Sequence, residues 1–317
     1  MRVLSLGKTN IKVTELCFGT LPMGPLQADL NLDKGIKLLQ YAFKKGVNYI
    51  DTAATYGTYG YIKEAIRGQR RKDIIISTKS SAESYPVMEN DIEKSLVGLD
   101  TDYIDIFFLH VPGSEMPFQK HKSALKCLVD YKRKGLIKAV GISTHYIKVV
   151  KEAAENRDID VIFTIINSIG QGIVDGTLDG ILSSVKFAHS QGKGVVAMKT
   201  LAGGILIDDV EKSINFVREK YYIEIVAVGF VSKKELDIAL HIFSEGKTIS
   251  QQIGKIEKKQ KKIRIIKGIC QKCGKCIIEC PNNALLIGDN EIKILHAKCI
   301  RCGYCIRVCP RFCIRLA

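Results

Sequence analysis

Eight short runs of apolar, mostly β-branched residues punctuate the chain: LCFG (16–19), VNYID (47–51), IIISTK (74–79), YIDIFFLH (103–110), AVGIS (139–143), VIFTIIN (161–167), GVVAMK (194–199) and IVAVGF (225–230). Each is apolar at nearly every residue rather than at every second one. That is the pattern of a strand buried on both faces, as in a parallel sheet covered by helices. Stretches with helical period lie between them. In DKGIKLLQYAFKKG, residues Ile36, Leu39, Tyr41 and Phe43 are expected near one side, with Gly46 closing the helix. VMENDIEKSLVGL, KSALKCLVDYKRKG and VEKSINFVREK follow the same plan. Eight strand–helix pairs in about 250 residues are the size of a (β/α)8 barrel. A doubly wound open sheet is the alternative that the pattern admits.

Beyond residue 247 the character changes. KTISQQIGKIEKKQKKIRIIK (247–267) is lysine-rich and reads as a linker or a helix leaving the barrel. Nine of the 11 cysteines then crowd into 268–317, in two frames of the form C-x-x-C-x-x-C-x-x-x-C-P that repeat at a spacing of 29: Cys270 with Cys299, Cys273 with Cys302, Cys276 with Cys305, and Cys280 with Cys309. A duplicated small module explains the repeat. Three thiols at such short intervals can wrap one face of an iron–sulfur cube, and Gly274 and Gly303 let the backbone turn beside it. Zinc sites use paired C-x-x-C motifs without the third cysteine. The segment resembles the bacterial-type 2[4Fe–4S] ferredoxin domains over its whole length. That resemblance implies that the fourth cysteine of each frame serves the other cluster. Cys270, Cys273, Cys276 and Cys309 would hold one, and Cys299, Cys302, Cys305 and Cys280 the second. Cys313 fits no ligand position and reads as a packed thiol.

Four polar residues fall at or just after strand ends: Asp51 in YIDTAATYG, Tyr56 in the loop that follows, Lys79 in IISTK, and His110 in DYIDIFFLH. A barrel places its chemistry at the C-terminal ends of its strands. A strand-end aspartate alone is commonly a structural cap, and a lone histidine a satisfied core residue; four in register suggest acid catalysis. A tyrosine with an ordinary pKa near ~10 is a weak acid, which a nearby ammonium would lower. A histidine that donates a hydrogen bond can polarise a carbonyl.

Residues 1–245 resemble the aldo-keto reductase superfamily. The likeness rests on DTAATYG, STK, SLVGLDTDYIDIFFLH, GLIKAVGIS and AMKTLAGG. It implies a (β/α)8 barrel that reduces aldehydes and ketones with NADPH. Tyr56 would be the general acid, Lys79 would tune it, Asp51 would orient Lys79, and His110 would position the carbonyl. Some members carry a C-terminal ferredoxin-like module, and this chain is similar to those. The expected fold class is therefore α/β, a (β/α)8 TIM barrel (1–247), a basic linker or helix (248–267), and a small α+β ferredoxin-like domain (268–317).

The chain departs from the family at its nicotinamide grip. Ser143-Thr144 stands where Ser-Asn is usual. Asn167 is present, but Phe163 replaces a glutamine, and Met198 lies where a stacking aromatic is common. The adenine-site Arg and Glu-Asn pair are not evident in GFVSKKELDIAL. A phosphate site remains. The loop Leu201–Gly204, with Gly203, follows strand seven, and the turn Gly229–Ser232 follows strand eight, with Lys233 and Lys234 adjoining. Such a site leaves NADP(H) or FMN as the candidate nucleotide, alongside two [4Fe–4S] clusters. No G-x-G-x-x-G is present to build a Rossmann flavin site.

The net charge of +15 favours anionic partners. That basic balance suits an acidic ferredoxin-type electron carrier, whereas the densest basic stretch, 255–267, has no interleaved aromatics, which argues against nucleic acid. No apolar run reaches the length of a membrane span, and MRVLSLGKTN lacks a secretory h-region, so a cytoplasmic protein without membrane contact is expected. The leading expectation is an iron–sulfur oxidoreductase acting on a small carbonyl or alcohol. The alternatives are an electron-transfer protein that uses the barrel as a docking body, and an ordinary NAD(P)H-dependent carbonyl reductase with auxiliary clusters.

Overall fold

The computed structural model describes residues 1–111, 117–244, 261–289 and 291–316. A hairpin comes first, β1 (Val3–Ser5) against β2 (Lys12–Thr14). The eight expected strands follow as β3 (Leu16–Gly19), β4 (Tyr49–Asp51), β5 (Ile75–Ser80), β6 (Ile104–Val111), β7 (Ile137–Thr144), β8 (Val161–Ile165), β9 (Gly194–Met198) and β10 (Ile225–Gly229). Neighbours pair in parallel in chain order. The pairing of β10 with β3, Val226 opposite Leu16 and Gly229 opposite Gly19, closes the sheet into a barrel rather than leaving it open. The connections carry α1 (Leu32–Lys44), α2 (Tyr59–Ile66), α3 (Tyr85–Leu99), α4 (Pro117–Lys120), α5 (Lys122–Arg133), α6 (Ile147–Glu155), α7 (Leu178–Ser190) and α8 (Val210–Arg218), and α9 (Lys233–Phe243) follows β10.

Two apolar clusters result from the alternation of side chains along each strand. Phe18, Ile50, Phe107 and Ile142 face outward and pack with the helices. Cys17, Tyr49, Ile106, Phe108, Val161, Phe163 and Val196 fill the barrel. Leu6, Ile11 and Val13 of the hairpin join this inner cluster, so the hairpin plugs the barrel end opposite the strand C-termini. Its three-residue strands carry too little periodicity to be read from sequence. Helix α1 buries Gly35, Leu38, Leu39 and Ala42. Ile36, Tyr41 and Phe43, expected on that face with Leu39, are only half-buried on its flanks.

In the small domain β11 (Ile263–Ile265) pairs antiparallel with β14 (Ile314–Leu316), and β12 (Leu285–Ile287) with β13 (Ile292–Ile294). Helices α10 (Lys275–Ile278) and α11 (Tyr304–Arg307) complete it. Of the expected linker 248–267, residues 248–260 lie outside the described residues. The rest differs from the expectation: Ile263 is 2% exposed, and β11 belongs to the small domain because β14 needs a partner. The two halves repeat in backbone as well as in sequence. Lys272 and Arg301 (φ 54° and 60°), Gly274 and Gly303 (74° and 84°), and Asn283 and Phe312 (47° and 46°) share left-handed conformations at the spacing of 29. Among the described residues no helix is long and apolar enough to cross a membrane.

Candidate functional site

Alternation along the strands fixes where the polar residues point. Tyr49, Ile75 and Phe108 belong to the inner cluster, so residues an even number of positions further on turn inward too. Asp51, Lys79 and His110 therefore reach the mouth at the C-terminal strand ends. The register sets Asp51 opposite Ser77, Lys79 opposite Phe108 and His110 opposite Ser143. Lys79 Nζ donates to both Asp51 carboxylate oxygens at 2.5 Å and to the Thr52 carbonyl at 2.9 Å. Asp51 also accepts from Ser77 Oγ at 2.6 Å. Lys79 Nζ lies 5.4 Å from the centre of the Tyr56 ring, which enters from the loop after β4. The structure thus gathers Asp51, Tyr56 and Lys79, with His110 on the next strand.

The electrostatics differ from the sequence expectation in one respect. Burial, followed by the Asp51 charge, raises the Tyr56 pKa above its ordinary value instead of lowering it. The cation that opposes them is Arg315 of β14. The Lys79 charge is offset by the Asp51 carboxylate with which it pairs. Burial pushes the Asp51 carboxyl up and the Lys79 ammonium down, and their mutual contacts work against it in both groups. His110 is depressed to about 3 by burial, then by Lys79 and Lys199. It is a neutral imidazole at any ordinary pH.

Two residues without a sequence-assigned role join the mouth. Lys199 Nζ lies 2.5 Å from His145 Nε2, and His145 Nδ1 lies 2.9 Å from the Gly172 carbonyl. That carbonyl only accepts, so Nδ1 carries the ring proton and Nε2 accepts from Lys199. Burial, then Arg315 and Lys79, hold the Lys199 ammonium well below the usual lysine range. Lys199 was visible as a letter in AMKTLAGG, but a single lysine gives no signal of its surroundings.

The mouth opens into a cavity of about 180 Å³ lined by Asp51, Tyr56, Phe163, Met198, Lys199, Thr200, Phe230 and Arg315, among others. Leu201, Gly203, Gly204 and Gly229 line it too. The open side of the two adjacent glycines is taken by the cluster domain, however. A Cβ on Gly203 would lie 3.2 Å from the Phe312 ring and 3.3 Å from Arg315 Cδ, and one on Gly204 2.7 Å from the Leu316 carbonyl oxygen. The remaining nucleotide candidates divide. The Ser143 and Thr200 hydroxyls are buried without a partner among the described residues. Asn167 is tied to its own loop: its Oδ1 accepts from Gln171 N at 2.9 Å, and its Nδ2 donates to the Gln171 carbonyl at 2.9 Å. Ser232 caps α9, accepting from Glu235 N at 3.3 Å. Lys233 is exposed and rests 5.0 Å from the centre of the Tyr41 ring. Phe163 fills its place beside Phe108, 4.7 Å from Lys79 Nζ. Ser232 and Lys233 are thus engaged elsewhere, and Asn167 is held by its own loop.

The eight frame cysteines line two further cavities. One is bounded by Cys270, Cys273, Cys276 and Cys309, the other by Cys280, Cys299, Cys302 and Cys305. Among the described residues no three His, Cys, Asp or Glu side chains converge as one metal ion requires. Eight thiols in two open sets suit cubes better than single ions. Backbone amides support the thiols in both halves: Ala284 N lies 3.2 Å from Cys280 Sγ, and Cys313 N 3.4 Å from Cys309 Sγ. Cys313 is buried, its sulfur 3.4 Å from that of Cys309, in the place that Ala284 takes in the first half. Phe312 and Arg315, either side of Cys313 and Ile314, enter the barrel mouth, where Phe312 meets the His145 ring at 6.2 Å between centres.

A family model for the aldo/keto reductase family matches residues 15–278, and one for a 4Fe-4S dicluster domain matches 262–310. The chain is 27% identical over 220 residues to L-galactose dehydrogenase of Arabidopsis thaliana, covering 64% of this chain and 66% of that one. It is 30% identical over 135 residues to glyoxal reductase of Bacillus subtilis, 41% of this chain and 47% of that one. The chain thus spans about two-thirds and about half of the lengths of these two curated relatives. An aldo-keto reductase of Bacillus halodurans, solved in holo form, superposes over 80% of this chain and 94% of its own with a TM-score of 0.67 at 20% identity, a likeness of fold.

Proposed function

The chain belongs to the aldo/keto reductase family and carries a 4Fe-4S dicluster domain, and from that premise we propose that it interconverts a small carbonyl and its alcohol with electrons exchanged through two clusters. The observation that carries this reading is strand β14. It leaves the cavity of Cys270, Cys273, Cys276 and Cys309 and ends against the barrel loop at Gly204, with Phe312 and Arg315 in the mouth beside the buried tetrad.

When bound, the clusters supply single electrons at low potential, two per carbonyl converted to alcohol together with two protons. The residues present suit them in donor chemistry and number. Tyr56, protonated at neutral pH, holds a proton for the carbonyl oxygen. Asp51 and Lys79 lock each other at the base of the site. His110, neutral, orients the carbonyl by a hydrogen bond. Phe163 and Met198 form apolar walls that exclude water. NADP(H) and FMN fit less well, since Asn167 is tied to Gln171 of its own loop and the cluster domain covers Gly203 and Gly204. An acidic ferredoxin-type carrier suits the exposed face of the small domain, where Lys272, Lys275 and Arg307 accompany Ile278 and Tyr304 near the exposed Cys273 and Cys302.

The test is turnover of anaerobically purified protein with reduced viologen as donor. Tyr56→Phe should lower the rate by roughly 10²–10⁴-fold. Equal turnover by the variant would remove Tyr56 from the chemistry. Micromolar NADPH binding, with hydride transfer in a cluster-free variant, would favour the ordinary nicotinamide reductase instead.

A further inference from the structure

We infer that this site takes a carbonyl compound that also bears a carboxylate, and that Arg315 of the cluster domain, with Lys199 of the barrel, binds that carboxylate. The inference rests on the reduction proposed above and names its substrate class.

Four charged groups at the mouth cancel in pairs. Asp51 holds Lys79, and Glu235, which also lines the cavity, holds Lys261. Among the described residues neither Arg315 nor Lys199 has a carboxylate partner; the groups that favour the charge on Arg315 are the Cys313 and Cys309 thiols and Tyr56. Arg315 is 6% exposed, donates to the neighbouring Ile314 carbonyl at 2.8 Å and lies 4.1 Å from the Phe312 ring centre; no carboxylate among the described residues reaches it. Lys199 is bonded to a neutral imidazole and packed 5.2 Å from the same ring. A buried guanidinium with no carboxylate to pair with is costly, and the Lys199 amine beside it offers donors but no counter-charge. Both groups line the cavity that Tyr56 and Asp51 line. An anion entering there relieves both, and the planar fork of Arg315 matches a carboxylate in bidentate fashion.

Size and surroundings favour a substrate carboxylate over a nucleotide phosphate. The cavity, about 180 Å³, is smaller than the ~300–1,000 Å³ pockets of drug-sized ligands. The glycine loop that would receive a phosphate is covered by Phe312, Arg315 and Leu316. Since Arg315 comes from the cluster domain, the same segment that links the two domains also selects the substrate.

The experiment titrates the cluster-loaded protein with two probe acids, benzoylformate and 4-oxobutanoate, and with their neutral counterparts, methyl benzoylformate and butanal. At least one acid should bind more tightly than its counterpart, and Arg315→Gln should weaken the acid on the order of 100-fold while sparing the neutral compound, the range of hydrogen bonds to charged groups. Lys199→Gln should give a smaller loss in the same sense. If Arg315→Gln sheds its clusters, judged by visible absorbance, Arg315→Lys keeps the charge without the fork, and an intermediate loss is expected. Acids that bind no better than neutral partners, or equally well to both variants, overturn the inference. So does an Arg315→Gln variant that loses only NADPH or FMN affinity, because the anion is then a phosphate. These titrations need no turnover. Acid-selective binding without viologen-driven reduction would sink the proposed reaction and leave the carboxylate site standing.

Discussion

Gly204→Ala probes the contact by which the cluster domain meets the barrel. The residue has φ +99°, and an added Cβ would sit 2.7 Å from the Leu316 carbonyl oxygen and 2.8 Å from Leu316 Cβ. Both figures are below any normal carbon contact, and one neighbour is backbone, so no rotamer change relieves them. The left-handed conformation costs a non-glycine residue about 1–2 kcal/mol, and overpacking about 1–3 kcal/mol. A loss of roughly 2–5 kcal/mol is expected. The loop is braced within the barrel, whereas β14 is held by one three-residue pairing with β11. The strand should therefore yield, carrying Arg315 with it. Chemical denaturation followed by far-UV circular dichroism measures the loss, and visible absorbance checks that the clusters persist. Viologen-coupled turnover should fall as well, because displacements near 1 Å at a site cost up to ~10²-fold. A variant within ~0.5 kcal/mol of the parent and with parental turnover would show that β14 does not rest on Gly204.

Four other outcomes are expected. Glu15, 1% exposed, accepts from Arg218 Nε at 2.8 Å and from Arg2; Glu15→Ala should cost about 3 kcal/mol by leaving Arg218 unpaired, and an unchanged denaturation midpoint would refute this. Burial raises the Glu15 pKa, but bonds from Arg2 and Arg218 outweigh it and hold the carboxyl below its ordinary range; its stabilisation is present above the unfolded carboxyl pKa and lost as pH falls through the folded one, a loss that Glu15→Gln should not show. His110, depressed to about 3, binds its proton more readily when unfolded, so its share of stability disappears as pH falls from about 6.5 towards about 3; a titration near 6.5 in the imidazole NMR signal would contradict the burial argument. Cys273→Ser should lower iron below the expected ~8 per chain and destabilise the small domain, whose core is too small to stand without metal; full iron retention would exclude Cys273 as a ligand.

The barrel was legible because strands buried on both faces must be apolar throughout, so all eight are contiguous in the sequence. The hairpin that plugs the barrel was not, because Leu6, Ile11 and Val13 are scattered singly among polar neighbours. Asp51, Tyr56, Lys79 and His110 were legible from their places at strand ends. Their electrostatics were not, since the Tyr56 environment depends on Arg315, 259 positions further along the chain. Nothing local in CIRLA marks an active-site arginine; only the packing of one domain on the other does. The repeat of 29 marked two frames, but the crossed split of their cysteines was implied by the ferredoxin resemblance and not by the spacing, and the bonds of Asn167 to Gln171 are a loop property that a strand-end asparagine does not announce.

The crossed arrangement of thiols sets an order of assembly. Each cavity takes three cysteines from one half of the repeat and the fourth from the other, so neither half can close around its cube alone. The barrel draws its core from residues that precede this region and can fold first. With Cys309 as a ligand of the first frame, a bound cluster would hold β14, and Arg315 with it, against Gly203 and Gly204. On the function proposed above, a chain starved of iron, or stripped of a cube by oxygen, would keep its barrel and lose the arginine inferred to bind substrate, so that metal supply would govern when it becomes competent.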